Sequence, residues 1–140
     1  MNRRWLLLCG AALLLAGCSG ASTPQQVTVI ASDFHYEPST IEVVAGQTVH
    51  LIVQNTGSID HDFAILEIPL EEGKVTIAGA TPHPGLSALE HEPALLVTAP
   101  KGQSIEVEFT PTQPGSYEIL CTVPGHKEAG MTGKLIVVSP

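Results

Sequence analysis

Residues 121–131 read Cys121-Thr-Val-Pro-Gly-His126-Lys-Glu-Ala-Gly-Met131, which places a thiol, an imidazole and a thioether at even spacing on one short segment. A thiolate, imidazoles and a weak thioether form the ligand set that holds copper in both of its common oxidation states. Tyr117 to Leu120 precede the segment with the pattern of a strand, and a strand pattern resumes after Thr132. The sequence therefore predicts a metal-binding loop between two strands.

A second imidazole is available in Asn55-Thr-Gly-Ser-Ile-Asp-His61, where residues 55–58 are rich in turn formers. We predict that His61, Cys121 and His126 form the plane of a copper site, with Met131 as a weak axial ligand. Taken singly, each residue has an ordinary explanation, as a buried cysteine, a core methionine or a turn histidine. Their combination at the ends of strands favours copper.

Short runs of alternating apolar and polar residues cover the chain from Gln26 onward, and Ile105-Glu-Val-Glu-Phe109 is the clearest of them. Glycine and proline separate these runs. Seven or eight short strands at this spacing predict an all-β antiparallel sandwich or barrel, formed by one domain over residues 26–140.

The N-terminus has the features of an export signal. Arg3 and Arg4 precede a short apolar run, and Leu15-Ala-Gly-Cys18 follows it. This ending resembles a bacterial lipoprotein cleavage site, which implies a signal peptide over residues 1–17, lipidation of Cys18 and a tether over residues 18–25. An ordinary signal peptide and an uncleaved anchor are the alternatives.

Cleavage before Cys18 would remove Cys9 and leave Cys121 as the one thiol without lipid, so no disulfide within the domain is expected. Loss of Arg3 and Arg4 would also change the formal net charge from −8 to −10. Such an acidic domain argues against binding to nucleic acid.

Residues 69–92 interrupt the strand pattern with three prolines and several charges, and a helical turn over residues 86–90 is one interpretation. His83 and His91 lie there beside Glu90 and Glu92. A weak second metal site is one hypothesis, and flexible surface histidines are the favoured one. His35 and His50 are expected to be surface or structural residues.

The two ligand segments, Asn55…His61 and Cys121-Thr-Val-Pro-Gly-His126…Gly130-Met131, resemble those of the cupredoxins, the plastocyanin–azurin superfamily. The gaps around His126 and the lipoprotein-type signal are most similar to those of the auracyanins. This resemblance implies a Greek-key β-sandwich, one type 1 copper and electron transfer through an exposed edge of His126. Many relatives have Asn after the first ligand histidine. Asp62 stands there in this chain, and its charge should favour Cu(II) and lower the reduction potential.

These observations predict an exported, lipid-anchored electron carrier on the periplasmic or extracellular face of a bacterial membrane. We expect it to be monomeric and to meet redox protein partners. We expect no enzymatic activity, because Met131 would occupy the coordination position that a substrate needs. A dinuclear copper centre would require a second cysteine in the loop. A copper chaperone or storage lipoprotein is the alternative, and a metal-free sandwich for adhesion or partner binding is a third class.

Overall fold

The computed structural model describes residues 23–73, 75–78 and 92–140. The predicted signal peptide, the lipidation site Cys18, most of the tether, and His83 and His91 lie outside the described residues. Within them, no helix is long and apolar enough to cross a bilayer.

The described residues form ten strands: β1 Gln25–Ser32, β2 His35–Glu37, β3 Thr40–Val44, β4 Val49–Asn55, β5 His61–Ile65, β6 Thr76–Ala78, β7 Leu95–Ala99, β8 Ser104–Phe109, β9 Gly115–Leu120 and β10 Thr132–Val138. They make two five-stranded sheets, ordered β2-β1-β4-β8-β6 and β3-β10-β9-β5-β7. The predicted all-β sandwich is confirmed, with the first strand beginning one residue before the predicted boundary. The number of strands exceeds the predicted seven or eight because β2 and β6 are only three residues long.

The strands alternate as the sequence predicts. In β8 the exposed and buried residues alternate strictly, and Ile105, Val107 and Phe109 point inward. β4 shows the same order through Val49, Leu51 and Val53. Because side chains of successive strand residues point to opposite faces, these rows meet those of the second sheet in one core. The core supplies a fixed body for the loops at its ends.

Each sheet contains one parallel pair, which the expectation of an antiparallel sandwich did not include. β1 runs parallel to β4 with Ala31 opposite Asn55, and β3 runs parallel to β10. The other ladders are antiparallel. Parallel pairing brings the C-terminal ends of β1 and β4 to the same end of the sandwich. The loops that follow these two strands are therefore neighbours.

Part of the long segment 69–92 has a defined place. β6 pairs with β8, with Ile77 opposite Val107, and forms the edge of the first sheet. Leu70 makes an isolated bridge to Pro111. The segment thus contributes a strand, and the helical turn considered for residues 86–90 lies outside the described residues.

Candidate metal centre

The loop between β9 and β10 is held by its own backbone hydrogen bonds. The Cys121 N–H donates to the Met131 carbonyl at 3.2 Å, and the Met131 N–H donates to the His126 carbonyl at 2.9 Å. Gly125 and Gly130 have φ angles of 84° and 102°, a region that glycine enters at little cost. These turns fold the loop back so that Cys121, His126 and Met131 lie together at the end of the sandwich.

His61 reaches the same point from the adjacent strand. It is the first residue of β5, which pairs with β9 through Ala64 and Leu120. The sheet therefore carries both predicted ligand segments to one end. His61 Nδ1 lies 3.3 Å from His126 Nδ1, and that atom lies 3.4 Å from Cys121 Sγ.

One ligand atom from each of His61, Cys121 and His126 can be chosen so that all three lie within 4.8 Å of one another. The three side chains are buried, with 0%, 1% and 4% of each residue exposed. Met131 is fully buried beside them and is tied to both loop ligands through the backbone. Two imidazoles, one thiol and one thioether match the donor set that copper prefers over harder ions.

Burial sets the protonation of the two loop groups. Desolvation raises the pKa of the Cys121 thiol above 9.0, and the N–H of Asp62 opposes this by donating to Sγ at 3.3 Å. Desolvation also holds the pKa of His126 below 6.5. His126 is therefore neutral near pH 7, as a metal ligand must be, whereas Cys121 has to lose a proton when a metal binds.

Asp62 is fully buried and joins three segments. Its carboxylate accepts hydrogen bonds from Thr98 Oγ1 at 2.7 Å and from Thr122 Oγ1. Thr98 belongs to β7 and Thr122 follows Cys121. The Asp62 carboxylate therefore links the two ligand segments through Thr122 and ties them to β7 through Thr98. The Tyr36 hydroxyl donates to the Asp62 backbone carbonyl and lies beside Cys121.

Two further residues reach the histidines from the turn between β1 and β2. Asp33 Oδ1 lies 3.2 Å from His61 Nε2. Hydrogen bonds from Ser58 hold the pKa of Asp33 below 3.8, so this carboxylate is ionised at neutral pH. Phe34 packs edge-on against His126 and is itself 46% exposed. Sequence patterns gave no sign of either contact, because both depend on the β1–β4 pairing.

The edge of His126 is less open than the cupredoxin resemblance implied. Only 4% of the residue is exposed, and Phe34 covers part of the ring.

His50 lies on the outer face of the first sheet, where its two ring nitrogens contact Glu106 at 3.4 Å and Glu108 at 3.2 Å. This agrees with the expected surface role of His50.

A two-sheet β-sandwich with buried imidazole and thiol ligands at one end is the architecture of a small copper protein. Residues 24–138 match the family model described as copper binding proteins, plastocyanin/azurin family, and the chain belongs to that family. The predicted cupredoxin identity and the copper cofactor are thereby confirmed.

The chain is similar to relatives of two kinds. The chain is 33% identical to the copper-resistant cuproprotein CopI of Rubrivivax gelatinosus, over 84% of this chain and 68% of the relative. It is 27% identical to auracyanin-A of Chloroflexus aurantiacus, over 94% of this chain and 93% of that relative. The solved structure of auracyanin A from that organism, called a "blue" copper protein, superposes with a TM-score of 0.61 at 23% identity, covering 83% of this chain and 100% of the other.

Proposed function

We propose that this protein is a type 1 copper electron carrier and not an enzyme, with His61, Cys121, His126 and Met131 as ligands. The burial of all four residues is the observation that carries this proposal. A site that is closed by its own ligands leaves no open position for a substrate. Copper in such a site would supply one-electron oxidation and reduction.

The surrounding residues suit this role because they hold the ligands in place. Strands β5, β9 and β10 fix the two ligand segments, and the Asp62 N–H supports the thiolate. The Asp62 carboxylate joins β5 to β7 and to Thr122. Ligands that are fixed in this way move little when charge changes, which keeps the reorganisation that accompanies electron transfer small.

We further propose that the carrier is exported, lipidated at Cys18 and held as a monomer on the periplasmic or extracellular face of a bacterial membrane. The signal pattern over residues 1–17 supports export, and the tether over residues 18–25 would let the domain meet redox protein partners. The relationship to auracyanin A, which is called a "blue" copper protein, supports a type 1 copper site.

Copper loading tests the proposal. Purified protein given Cu(II) should develop strong visible absorption from thiolate-to-copper charge transfer, and a one-electron reductant should bleach it reversibly. Cys121→Ser should remove the colour. Cys18→Ser is the matched control, since it should keep the colour and lose lipid labelling and membrane retention. A wild-type protein that binds copper without colour would contradict the proposed site.

Copper handling for resistance is the second candidate, favoured by the 33% identity to a copper-resistant cuproprotein. A handling protein should release copper readily to a competing chelator or an acceptor protein. An electron carrier should retain copper through repeated redox cycles under the same conditions. Measuring colour and protein-bound copper together during these cycles separates the two functions.

A further inference from the structure

Asp33 comes to the metal centre through the parallel pairing of β1 and β4. Ala31 lies opposite Asn55, and the same register continued by two residues sets Asp33 against Gly57. The chain then turns through Ser58 to His61. An acidic residue just after β1 is thus brought beside a histidine that lies 28 positions further along the chain.

Three contacts fix the Asp33 carboxylate. Oδ1 lies 3.2 Å from His61 Nε2, and it also accepts a hydrogen bond from the Ser58 N–H at 2.8 Å. The second oxygen, Oδ2, accepts from Ser58 Oγ at 2.8 Å. A carboxylate anchored by two donors has little freedom to turn away from the imidazole.

Gly57 leaves the space in which this pair meets. A Cβ atom at Gly57 would lie 2.5 Å from His61 Nε2 and 2.6 Å from Asp33 Oδ1. Both distances are far below van der Waals contact, so a side chain here would push the two groups apart. The absence of a side chain at residue 57 therefore serves the contact between Asp33 and His61.

We propose that Asp33 is a positioning residue for the metal centre, which holds the proton of His61 on Nε2 and strengthens Nδ1 as a copper donor. The inference rests on the proposed ligand set. Nε2 faces a carboxylate, which only accepts hydrogen bonds, so the proton belongs on Nε2. Nδ1, which faces His126, then keeps its lone pair.

The anionic partner has a further effect on the bound metal. A carboxylate that accepts the imidazole proton raises the basicity of the ligand, and partners of this kind contribute about 10–100-fold to metal affinity. The greater electron density that His61 would then donate to copper favours Cu(II) over Cu(I). Asp33 should therefore lower the reduction potential of this protein.

The full-length protein carrying Asp33→Asn tests the proposal, because Asn keeps the shape and loses the charge. We expect Cu(II) affinity to fall by about 10–100-fold and the reduction potential to rise. Asp60→Asn is the matched control. Asp60 is an exposed carboxylate next to His61 in sequence that accepts from the Lys101 N–H at 2.8 Å, and it should change both quantities much less.

A second variant and a spectroscopic measurement keep the test sharp. Gly57→Ala should separate Asp33 from His61 and reproduce the effects of Asp33→Asn without altering any charge. Nitrogen NMR of the metal-free protein should show His61 protonated on Nε2 in the wild type and a loss of this preference in Asp33→Ala. That reading does not depend on copper.

The outcomes separate this inference from the proposed function. A coloured, redox-active wild type in which Asp33→Asn and Asp60→Asn behave alike would overturn the role of Asp33 and leave the electron carrier intact. A wild type without the charge-transfer colour would overturn the proposed site. In that event an Nε2 proton on His61 that depends on Asp33 would still establish the hydrogen bond itself.

Discussion

The ring of Phe34 stands edge-on against the ring of His126, with centroids 5.1 Å apart and planes inclined by 75°. Phe34 also has a φ angle of 62°, which costs a bulky residue roughly 1–2 kcal/mol. The fold maintains this conformation at the point where an exposed aromatic side chain covers a buried ligand. Phe34 therefore stands between solvent and one side of the His126 ring.

Replacing Phe34 with Ala should uncover His126. We expect a chelator to remove copper several-fold faster from this variant, because access to His126 no longer requires displacement of the ring. Ile30→Ala is a suitable control, since Ile30 is 38% exposed and lies on β1 of the same turn-forming hairpin. Equal release rates for the two variants would show that Phe34 does not shield the centre.

Asp62→Asn should raise the reduction potential. The substitution removes a buried negative charge beside the thiolate, where screening by water is weak. A rise of about 60 mV in the reduction potential corresponds to a tenfold change in a one-electron equilibrium. Redox titration of the coloured protein measures it, with Glu128→Gln as an exposed control on the ligand loop. An unchanged or lower potential would refute the effect expected from the sequence.

Tyr36→Phe should destabilise the metal-free protein by about 1–3 kcal/mol, since it leaves the buried Asp62 carbonyl without its donor. Tyr117→Phe provides a matched comparison. The Tyr117 hydroxyl donates to the Gln113 carbonyl at 2.9 Å at an exposed position, where water can replace it. Denaturant unfolding of both variants should show the larger loss for Tyr36. Similar losses would mean that burial of the carbonyl is unimportant.

His126 should make the metal-free protein sensitive to acid. Burial depresses the pKa of His126 in the folded state, so the unfolded chain binds the proton more tightly. The folded protein therefore keeps its full stability above about pH 6.5, the pKa of an unfolded histidine. Stability is lost progressively as the pH falls from there through the folded pKa of His126. His126→Gln should flatten this part of the profile of unfolding free energy against pH. A variant that keeps the wild-type slope there would exclude His126 as its cause.

The sequence predicted the local half of the site better than the distant half. Cys121, His126 and Met131 lie on one loop, so their spacing alone places them together. His61 could be inferred from its turn context and the need for a second imidazole. Asp33 and Phe34 could not, because their contacts depend on which strand β1 pairs with and in which direction.

Unknown strand pairing also explains why the observed fold differs from the predicted one. Alternation in β4 and β8 identified the strands and their inward faces, since burial follows the two-residue period directly. Pairing partners are not encoded in that period, so the parallel ladders β1–β4 and β3–β10 were missed. The limited exposure of His126 has a similar origin, because its cover comes from a turn that is distant in sequence.

The backbone hydrogen bonds within the ligand loop have a consequence for how the loop of this protein could be altered. The loop begins and ends at one rung of the antiparallel β9–β10 ladder, where Leu120 pairs with Thr132, and the hydrogen bond from the Cys121 N–H to the Met131 carbonyl closes it. We expect the interior of the loop to tolerate shortening, lengthening or exchange, because the base stays in register. The three proposed ligands on the loop would then be replaced as one unit, whereas His61 on β5 stays with the sheets.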